Sequence, residues 1–182
     1  MTIDIPGYKP GTYVLDTAHS EVGFTVRHMM ISKVKGSFHL FEGTIVAPEN
    51  PLEATVTAKA DAASLSTKDE GRDQHLRSAD FFDVEQYPTL EFVSTGVREG
   101  DGVFLVDGDL TIKGVTKPVT FEVEFGGFGQ DPWGNYKAGA TGTATIDREE
   151  FGLTWNAALE TGGVLVGKDV TITLDLQGVL QA

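Results

Sequence analysis

Long stretches in which every second residue is apolar are the feature that most constrains this chain. The clearest are Lys117–Phe128 and Asp169–Leu180. In the first of these the apolar positions are Val119, Phe121, Val123 and Phe125. Successive side chains of a strand point to opposite faces of a sheet, so this alternation predicts strands with one buried and one solvated face.

The same period recurs along most of the sequence. It predicts further strands at Gly11–Asp16, His19–Met30, Gly36–Ala47, Leu52–Ala60, Thr89–Val97, Val103–Ile112 and Tyr136–Asp147. The alternation changes parity within Gly36–Ala47, which favours a β-bulge there. One short helix is expected in the polar stretch Ser66–Asp80, where Thr67 and Glu70 have the spacing of a capping box. We expect a surface strap at Met1–Lys9 and a long turn at Gly126–Gly134.

These elements predict an all-β chain with eight to ten antiparallel strands in a single domain spanning residues 1–182. Strands of about 10 residues suit a tilted barrel better than a sandwich. A sheet with one apolar face and no covering helices can bury that face by closing on itself, which also removes its exposed edges.

Two of the predicted strands have unusually small residues on their apolar face. In Tyr136–Asp147 this face carries Ala138, Ala140, Gly142 and Ala144. The strand Leu52–Ala60 is also rich in Ala on one face. A packed core strand normally presents larger side chains. We therefore expect these small residues to border an apolar tunnel that a ligand fills.

Charge and composition exclude several function classes. The net charge is −13, which argues against binding nucleic acid or anionic membrane surfaces. There is no Cys, so disulfides, thiol nucleophiles and Cys-bound metals are excluded. No apolar run approaches the length of a membrane span, and the N-terminus does not resemble a secretory signal. These features predict a cytoplasmic protein without an integral membrane segment.

No catalytic, cofactor or metal motif emerges, so we expect no cofactor, no metal and no catalytic residues. The four histidines are scattered, and only His28 shares an apolar face with Phe24 and Val26. His28 can be read as a core histidine with satisfied hydrogen bonds, as a polar contact inside a pocket, or as the acid or base of a lipid-modifying enzyme, with Asp16 or Arg148 nearby. We expect Arg148 to pin a corner by binding carbonyl oxygens.

Several stretches together resemble one family. They are LDTAHSEVGFTVRH (Leu15–His28), GSFHLFEGTI (Gly36–Ile45), RDQHLRSADFFDVEQYPTLEF (Arg72–Phe92), GDLTIKGVTKPV (Gly108–Val119) and IDREEFGL (Ile146–Leu153). In these motifs the chain resembles the YceI-like family of lipocalin-like, polyisoprenoid-binding proteins. The resemblance implies an extended eight-stranded antiparallel lipocalin-like barrel with one short helix, and it suggests a homodimer.

The resemblance also implies the ligand, which is an isoprenoid lipid: a polyprenyl chain or the tail of an isoprenoid quinone. With the inward-facing pattern, it gives the expected ligand-binding residues as Phe24, Val26, His28, Met30, Phe38, Phe92, Phe104, Phe121, Ala138, Ala140, Ala144 and Trp155. The protein would carry, store or sequester this lipid. The alternatives are the lipid-modifying enzyme that uses His28 and a structural protein whose barrel is packed solid.

Overall fold

The computed structural model describes residues 4–29, 31–157 and 165–182, and these ranges contain eleven strands and one α-helix. The strands are β1 Gly11–Leu15, β2 Glu21–His28, β3 Ser32–Phe38, β4 Phe41–Ala47, β5 Thr55–Asp61, β6 Leu65–Ser66, β7 Thr89–Glu99, β8 Phe104–Ile112, β9 Val115–Gln130, β10 Tyr136–Asp147 and β11 Val166–Leu180. The helix, α1, spans Glu70–Arg77.

Eight of these strands form a closed antiparallel ring. Its order is β1-β4-β5-β7-β8-β9-β10-β11, and β11 pairs back onto β1. The strand β11 is shared, because Val166–Asp175 pairs with β2 whereas Gly178–Leu180 pairs with β1. Strands β2, β3 and β6 therefore continue the wall at one end of the ring. The predicted eight-stranded lipocalin-like barrel with one short helix is confirmed.

The register defines two ends of the barrel. At one end Asp147 of β10 lies opposite Asp169 of β11, and Val166 lies opposite His28 of β2. This end also holds α1, and we call it the helix end. At the other end Lys137 lies opposite Val179, beside the segment 4–10. We call it the strap end, after that segment.

Three local expectations were wrong. The parity change in Gly36–Ala47 comes from a turn at His39 and Leu40, which separates β3 from β4, and not from a bulge. The helix is capped by Asp69, whose side chain accepts from the Arg72 amide, and not by Thr67. The strand β9 continues to Gln130, so the turn into β10 is confined to residues 131–135.

A cluster of buried side chains lies mainly toward the helix end of the ring. It consists of Phe81, Phe92, Leu110, Ile112, Phe121, Ala144, Ile146, Phe151 and Leu153. Phe151 and Leu153 follow β10 at a corner, and Phe81 comes from the loop after α1. Irregular segments thus supply apolar side chains that help to close this end.

Candidate functional site

An apolar cavity of about 730 Å³ occupies the barrel interior. Its walls are mainly the inward-facing apolar side chains of the ring strands, together with Leu76 of α1 and Phe81 and Phe82 after it. An eight-stranded barrel is just wide enough either to be filled by side chains or to hold one small ligand. The volume shows that this barrel leaves room for a ligand, so it is not packed solid.

The cavity brings together most of the residues that the sequence pointed to. Those that line it are Phe24, Val26, His28, Phe38, Phe92, Phe104, Phe121, Ala138, Ala140 and Trp155. Met30 lies outside the described residues. Ala144 is not among the lining residues, although most other members of its core cluster are. That any of these residues contacts a ligand stays a prediction.

The small-residue face of β10 divides into two parts. Ala138 and Ala140 border the cavity, toward the strap end. A Cβ added at Gly142 would lie 3.4 Å from Leu174 and 3.6 Å from Val123, which is ordinary packing contact. The space beside Gly142 is therefore taken by neighbouring strands, as it is around Ala144. Only half of this face leaves open volume.

The second small-residue face behaves more uniformly. Ala54, Ala58 and Ala60 all line the cavity, with Val56 between them. Ala58 lies opposite Phe92 of β7 and Gly43 of β4. Small residues beside large aromatic ones give this wall an uneven surface with room along it.

Two glycines allow aromatic rings to lie flat against the barrel wall. A Cβ at Gly36 would come within 2.3 Å of the Phe24 ring, and one at Gly108 within 2.3 Å of the Phe92 ring. Phe92 in turn packs edge-to-face on Phe121, with ring centroids 5.2 Å apart. Each ring occupies the space that a side chain would fill if the glycine on the adjacent strand had one. The rings therefore narrow the cavity less than rings that pointed straight into it would.

At the strap end, a row of aromatic rings covers the barrel. Phe104 contacts Phe125, Phe125 stacks on Phe128, and Phe128 stacks on Tyr136. Tyr8 packs edge-on against Phe128 and donates a hydrogen bond to the Pro48 carbonyl at 2.5 Å. These contacts hold the segment 4–10 across this end. The described part of the N-terminus therefore forms the strap that was expected.

At the helix end, Trp155, His75 and Phe81 form an aromatic cluster. The His75 ring lies 4.5 Å from that of Trp155 and 5.1 Å from that of Phe81, both in edge-to-face geometry. His75 Nε2 is 2.9 Å from a carboxylate oxygen of Asp80. His75 and Trp155 both line the cavity. This cluster gives the helix end of the cavity a polar as well as an aromatic character.

Arg148 holds the corner that carries Trp155, which confirms the role expected from the sequence. Its guanidinium donates to the carbonyls of Leu153 (2.5 Å), Gly167 (2.8 Å), Trp155 (3.0 Å) and Val166 (3.3 Å). The side chain is almost fully buried, and this burial lowers the pKa of Arg148 from its ordinary value. The four hydrogen bonds of the Arg148 guanidinium thus go to backbone carbonyls, and they fix the start of β11.

A second buried network positions α1 at the cavity. The Asp73 carboxylate accepts from the Thr67 amide (2.8 Å) and hydroxyl (2.6 Å). Arg72 donates to the Thr67 hydroxyl (2.8 Å) and carbonyl (3.0 Å), and it also lines the cavity. The motif RDQHLRSAD therefore has a structural role, because it ties α1 to the segment before it.

His28 ends β2 beside the cavity, but its imidazole forms no hydrogen bond with another described side chain. A general acid or base normally has a partner within hydrogen-bond reach that orients it. Asp16, a suggested partner, is instead engaged by Lys137 at 3.0 Å and His19 at 2.8 Å. These two contacts hold the pKa of Asp16 at about 2.

The cavity also contains residues that sequence reasoning missed. Examples are Leu15, Val22, Phe41, Ile45, Phe82, Phe128, Leu174 and Leu176. Several of these share the parity of a predicted inward face, so the alternation alone could have added them. Phe41 and Phe128 could not be found this way, since Phe41 follows the unforeseen turn and Phe128 follows a register shift between β9 and β10 that reverses its parity relative to Phe125.

The part of the chain that the structure describes holds no group of three or more His, Cys, Asp or Glu side chains arranged to bind a metal. Within the same residues, none of the helical structure is long and apolar enough to cross a membrane.

Comparison with known proteins places this barrel in a family. The profile of the YceI-like domain matches residues 13–178. A UPF0312 protein of Staphylococcus aureus strain USA300 is 45% identical over 163 residues, which is 87% of this chain and 91% of the relative.

Solved structures agree on the fold. BcnA of Burkholderia cenocepacia superposes with a TM-score of 0.78 at 25% identity, covering 90% of this chain and 98% of that one. The YCEI protein of Campylobacter jejuni has a TM-score of 0.73 at 27% identity, covering 98% and 100%. A polyisoprenoid-binding domain from Saccharophagus degradans, at 15% identity, has a TM-score of 0.71 and covers 95% and 100%. With an eight-stranded barrel and a profile match along nearly its whole length, the chain belongs to the YceI-like family.

Proposed function

We propose that this protein binds an isoprenoid lipid inside its barrel and acts as its carrier, store or sequestering protein. The ligand is a polyprenyl chain or the tail of an isoprenoid quinone. The observation that carries the proposal is the cavity of about 730 Å³, whose wall is almost entirely apolar. The family membership supports it, as does the polyisoprenoid-binding domain of Saccharophagus degradans that shares the fold.

The cavity volume sets the length of chain that fits. A methylene-sized group takes about the space of one water molecule in the liquid, roughly 30 Å³. The cavity of about 730 Å³ then accommodates roughly 25 such groups, or about five isoprene units. Transfer of one unit from water contributes about 4 kcal/mol before ordering costs, so a few units suffice for tight binding.

The distribution of polar groups gives the ligand a direction. The strap end is covered by aromatic rings, whereas His28, Arg72 and His75 line the cavity near the helix end. The polar head group of an isoprenoid lipid would lie among these side chains, with its tail pointing toward the strap end. We expect the ligand to enter at this end, where the exposed Asp69 is among the lining residues.

The direct test is loading of the purified protein with geranylgeraniol or a short-chain menaquinone. Trp133 is exposed and is not among the cavity-lining residues, so Trp133→Phe leaves Trp155 as the single reporter at the cavity. We expect the quinone to quench Trp155 saturably, and native mass spectrometry to show one ligand per chain. A protein that binds neither probe, and that carries no apolar molecule after purification, would contradict the proposal.

The second candidate is a lipid-modifying enzyme that uses His28. Binding is favoured over catalysis because the described side chains around His28 supply no oriented hydrogen-bonding partner. A His28→Ala variant is expected to load geranylgeraniol nearly as well as the unmodified protein. Turnover of a bound isoprenoid that disappears in His28→Ala, while loading is retained, would instead establish the enzyme.

Two further expectations stay predictions. A homodimer is implied by the family resemblance, and sedimentation velocity of the purified protein measures it directly. A cytoplasmic location is the other, and fractionation of cells that express the full chain tests it.

A further inference from the structure

The hairpin formed by β2 and β3 differs in charge from the rest of the molecule. No Asp or Glu occurs in residues 22–41, whereas Arg27, Lys33 and Lys35 do. The other 162 residues contain all 27 acidic and 11 of the 14 basic residues. The net charge of −13, which argues against an anionic partner for the whole chain, is therefore unevenly distributed.

The basic side chains of this hairpin lie on one face. Arg27 is directly opposite Lys33, and Lys35 is the next outward-facing position along β3. All three are exposed. Like charges directly opposite one another in a sheet are destabilising. The pair Arg27–Lys33 therefore does not stabilise the fold, and an anionic partner would reduce the repulsion between the two side chains.

The tip of the same hairpin exposes apolar side chains. Ile31 is 83% exposed and Met29 is 41% exposed. Just behind the tip, Arg27, His28 and Val34 line the barrel cavity. A basic face, an apolar tip and cavity-lining residues thus lie together at the helix end.

We propose that the β2–β3 hairpin docks this protein on an anionic lipid bilayer, with Ile31 and Met29 entering the interface and Arg27, Lys33 and Lys35 contacting lipid phosphates. Lys and Arg near an anionic bilayer each contribute a favourable electrostatic interaction, and an exposed apolar tip adds to it. The docking geometry rests on the hairpin alone. Its use, passing an isoprenoid between bilayer and barrel without exposing it to water, rests on the proposed function.

Protection of a sheet edge explains only part of this pattern. Residues 32–36 of β3 have no strand partner beyond β2 among the described residues, and edge strands often carry Lys to prevent edge-to-edge pairing. That accounts for Lys33 and Lys35. It does not account for Arg27 on the inner strand β2, for the absence of acidic residues, or for the exposed Ile31.

The test is co-sedimentation of the purified protein with vesicles made of equal parts phosphatidylglycerol and phosphatidylcholine. Vesicles of phosphatidylcholine alone serve as the reference. We expect pelleting with the anionic vesicles only, weakening as salt is raised. Lys33→Gln/Lys35→Gln should lower the partition coefficient on the order of 30-fold, from about a fivefold effect per lysine.

Ile31→Asp should also weaken binding to the anionic vesicles, and its matched control is Trp133→Asp. Both side chains are 83% exposed, but Trp133 lies in the β9–β10 turn at the strap end. Lys117→Gln, at an exposed position on β9, controls for charge. Both controls should bind vesicles like the unmodified protein.

Three results would overturn the proposal: no pelleting with anionic vesicles, equal losses in the hairpin variants and their controls, or hairpin variants that change the oligomeric state while vesicle binding is unchanged. The last would assign the hairpin to a second copy of the chain. Geranylgeraniol loading from detergent, measured on the same variants, is expected to be unchanged. A failure of docking and a failure of lipid binding are therefore distinguishable.

Discussion

Replacing Ala140 with Phe tests whether the open volume beside β10 holds the isoprenoid tail. Ala140 lines the open volume, so a new ring there would extend into space rather than into packed side chains. The ring adds six carbons, about the size of one five-carbon isoprene unit. Displacing one unit removes about 4 kcal/mol of transfer free energy. The dissociation constant for geranylgeraniol should therefore rise roughly 100- to 1000-fold.

The matched control is Ala144→Phe, four residues along the same face of β10. Ala144 is 7% exposed and packed in the core cluster, where no open space receives a ring. Overpacking of this kind typically costs about 1–3 kcal/mol. We expect the free energy of unfolding to fall by that amount in Ala144→Phe and to change by less than about 1 kcal/mol in Ala140→Phe.

The assays are urea unfolding, followed by far-UV circular dichroism, and ligand titration by quenching of Trp155 in the Trp133→Phe background. Farnesol, one isoprene unit shorter than geranylgeraniol, should lose much less affinity in Ala140→Phe because its tail stops short of the new ring. Equal destabilisation by the two substitutions would refute the reasoning, since it would mean that the space beside Ala140 is not open. Undiminished geranylgeraniol binding in Ala140→Phe would place the ligand elsewhere.

Three other predictions follow from the same contacts. Arg148→Met leaves four backbone carbonyls without their donor, so urea unfolding should show a loss of about 3–5 kcal/mol. Gly108→Ala meets both the Phe92 ring and the Val93 carbonyl and should lower the free energy of unfolding by about 1–3 kcal/mol. The three atoms nearest a Cβ at Gly36 all belong to the Phe24 ring, which can turn into the cavity, so Gly36→Ala should weaken geranylgeraniol binding more than stability. The Asp16 carboxylate has a folded-state pKa of about 2, below its unfolded value, so its stabilisation is complete above about pH 4 and is lost as the pH falls toward 2. Lys137→Met removes the main cause of this shift and should flatten the dependence of stability on pH in that window, as measured by urea unfolding at several pH values.

Period-two alternation made the strands and their buried faces predictable. It identified Val119, Phe121 and Val123 of β9, and Ala138 and Ala140 of β10, because a side chain's face in a strand depends only on whether its position is odd or even. The corner role of Arg148 was also predictable, since a charged residue between a strand and Phe151-Gly152 has few buried partners other than carbonyls. These are local properties of the chain.

The same alternation could not show which inward-facing residues border the cavity and which are packed in the core. Ala140 and Ala144 have identical parity, yet one faces open volume and the other is enclosed, because that depends on which side chains other strands place beside them. The leucine and valine that fill the space beside Gly142 come from β11 and β9. The turn at His39-Leu40 was missed for a related reason, since pairing with β2 and β6 on one side and with β1 and β5 on the other decides where β3 ends and β4 begins.

The sequence by itself determined an all-β chain with an apolar interior and small residues along part of it. Only the tertiary structure decided that β11 pairs with both β1 and β2, that Arg27 lies directly opposite Lys33, and that aromatic rings from the strap and β9 pack together at the strap end. The physical reason is the same in each case. Burial of a face is encoded in neighbouring residues, whereas the volume left inside a closed barrel depends on side chains distant in sequence that meet only when the ring closes.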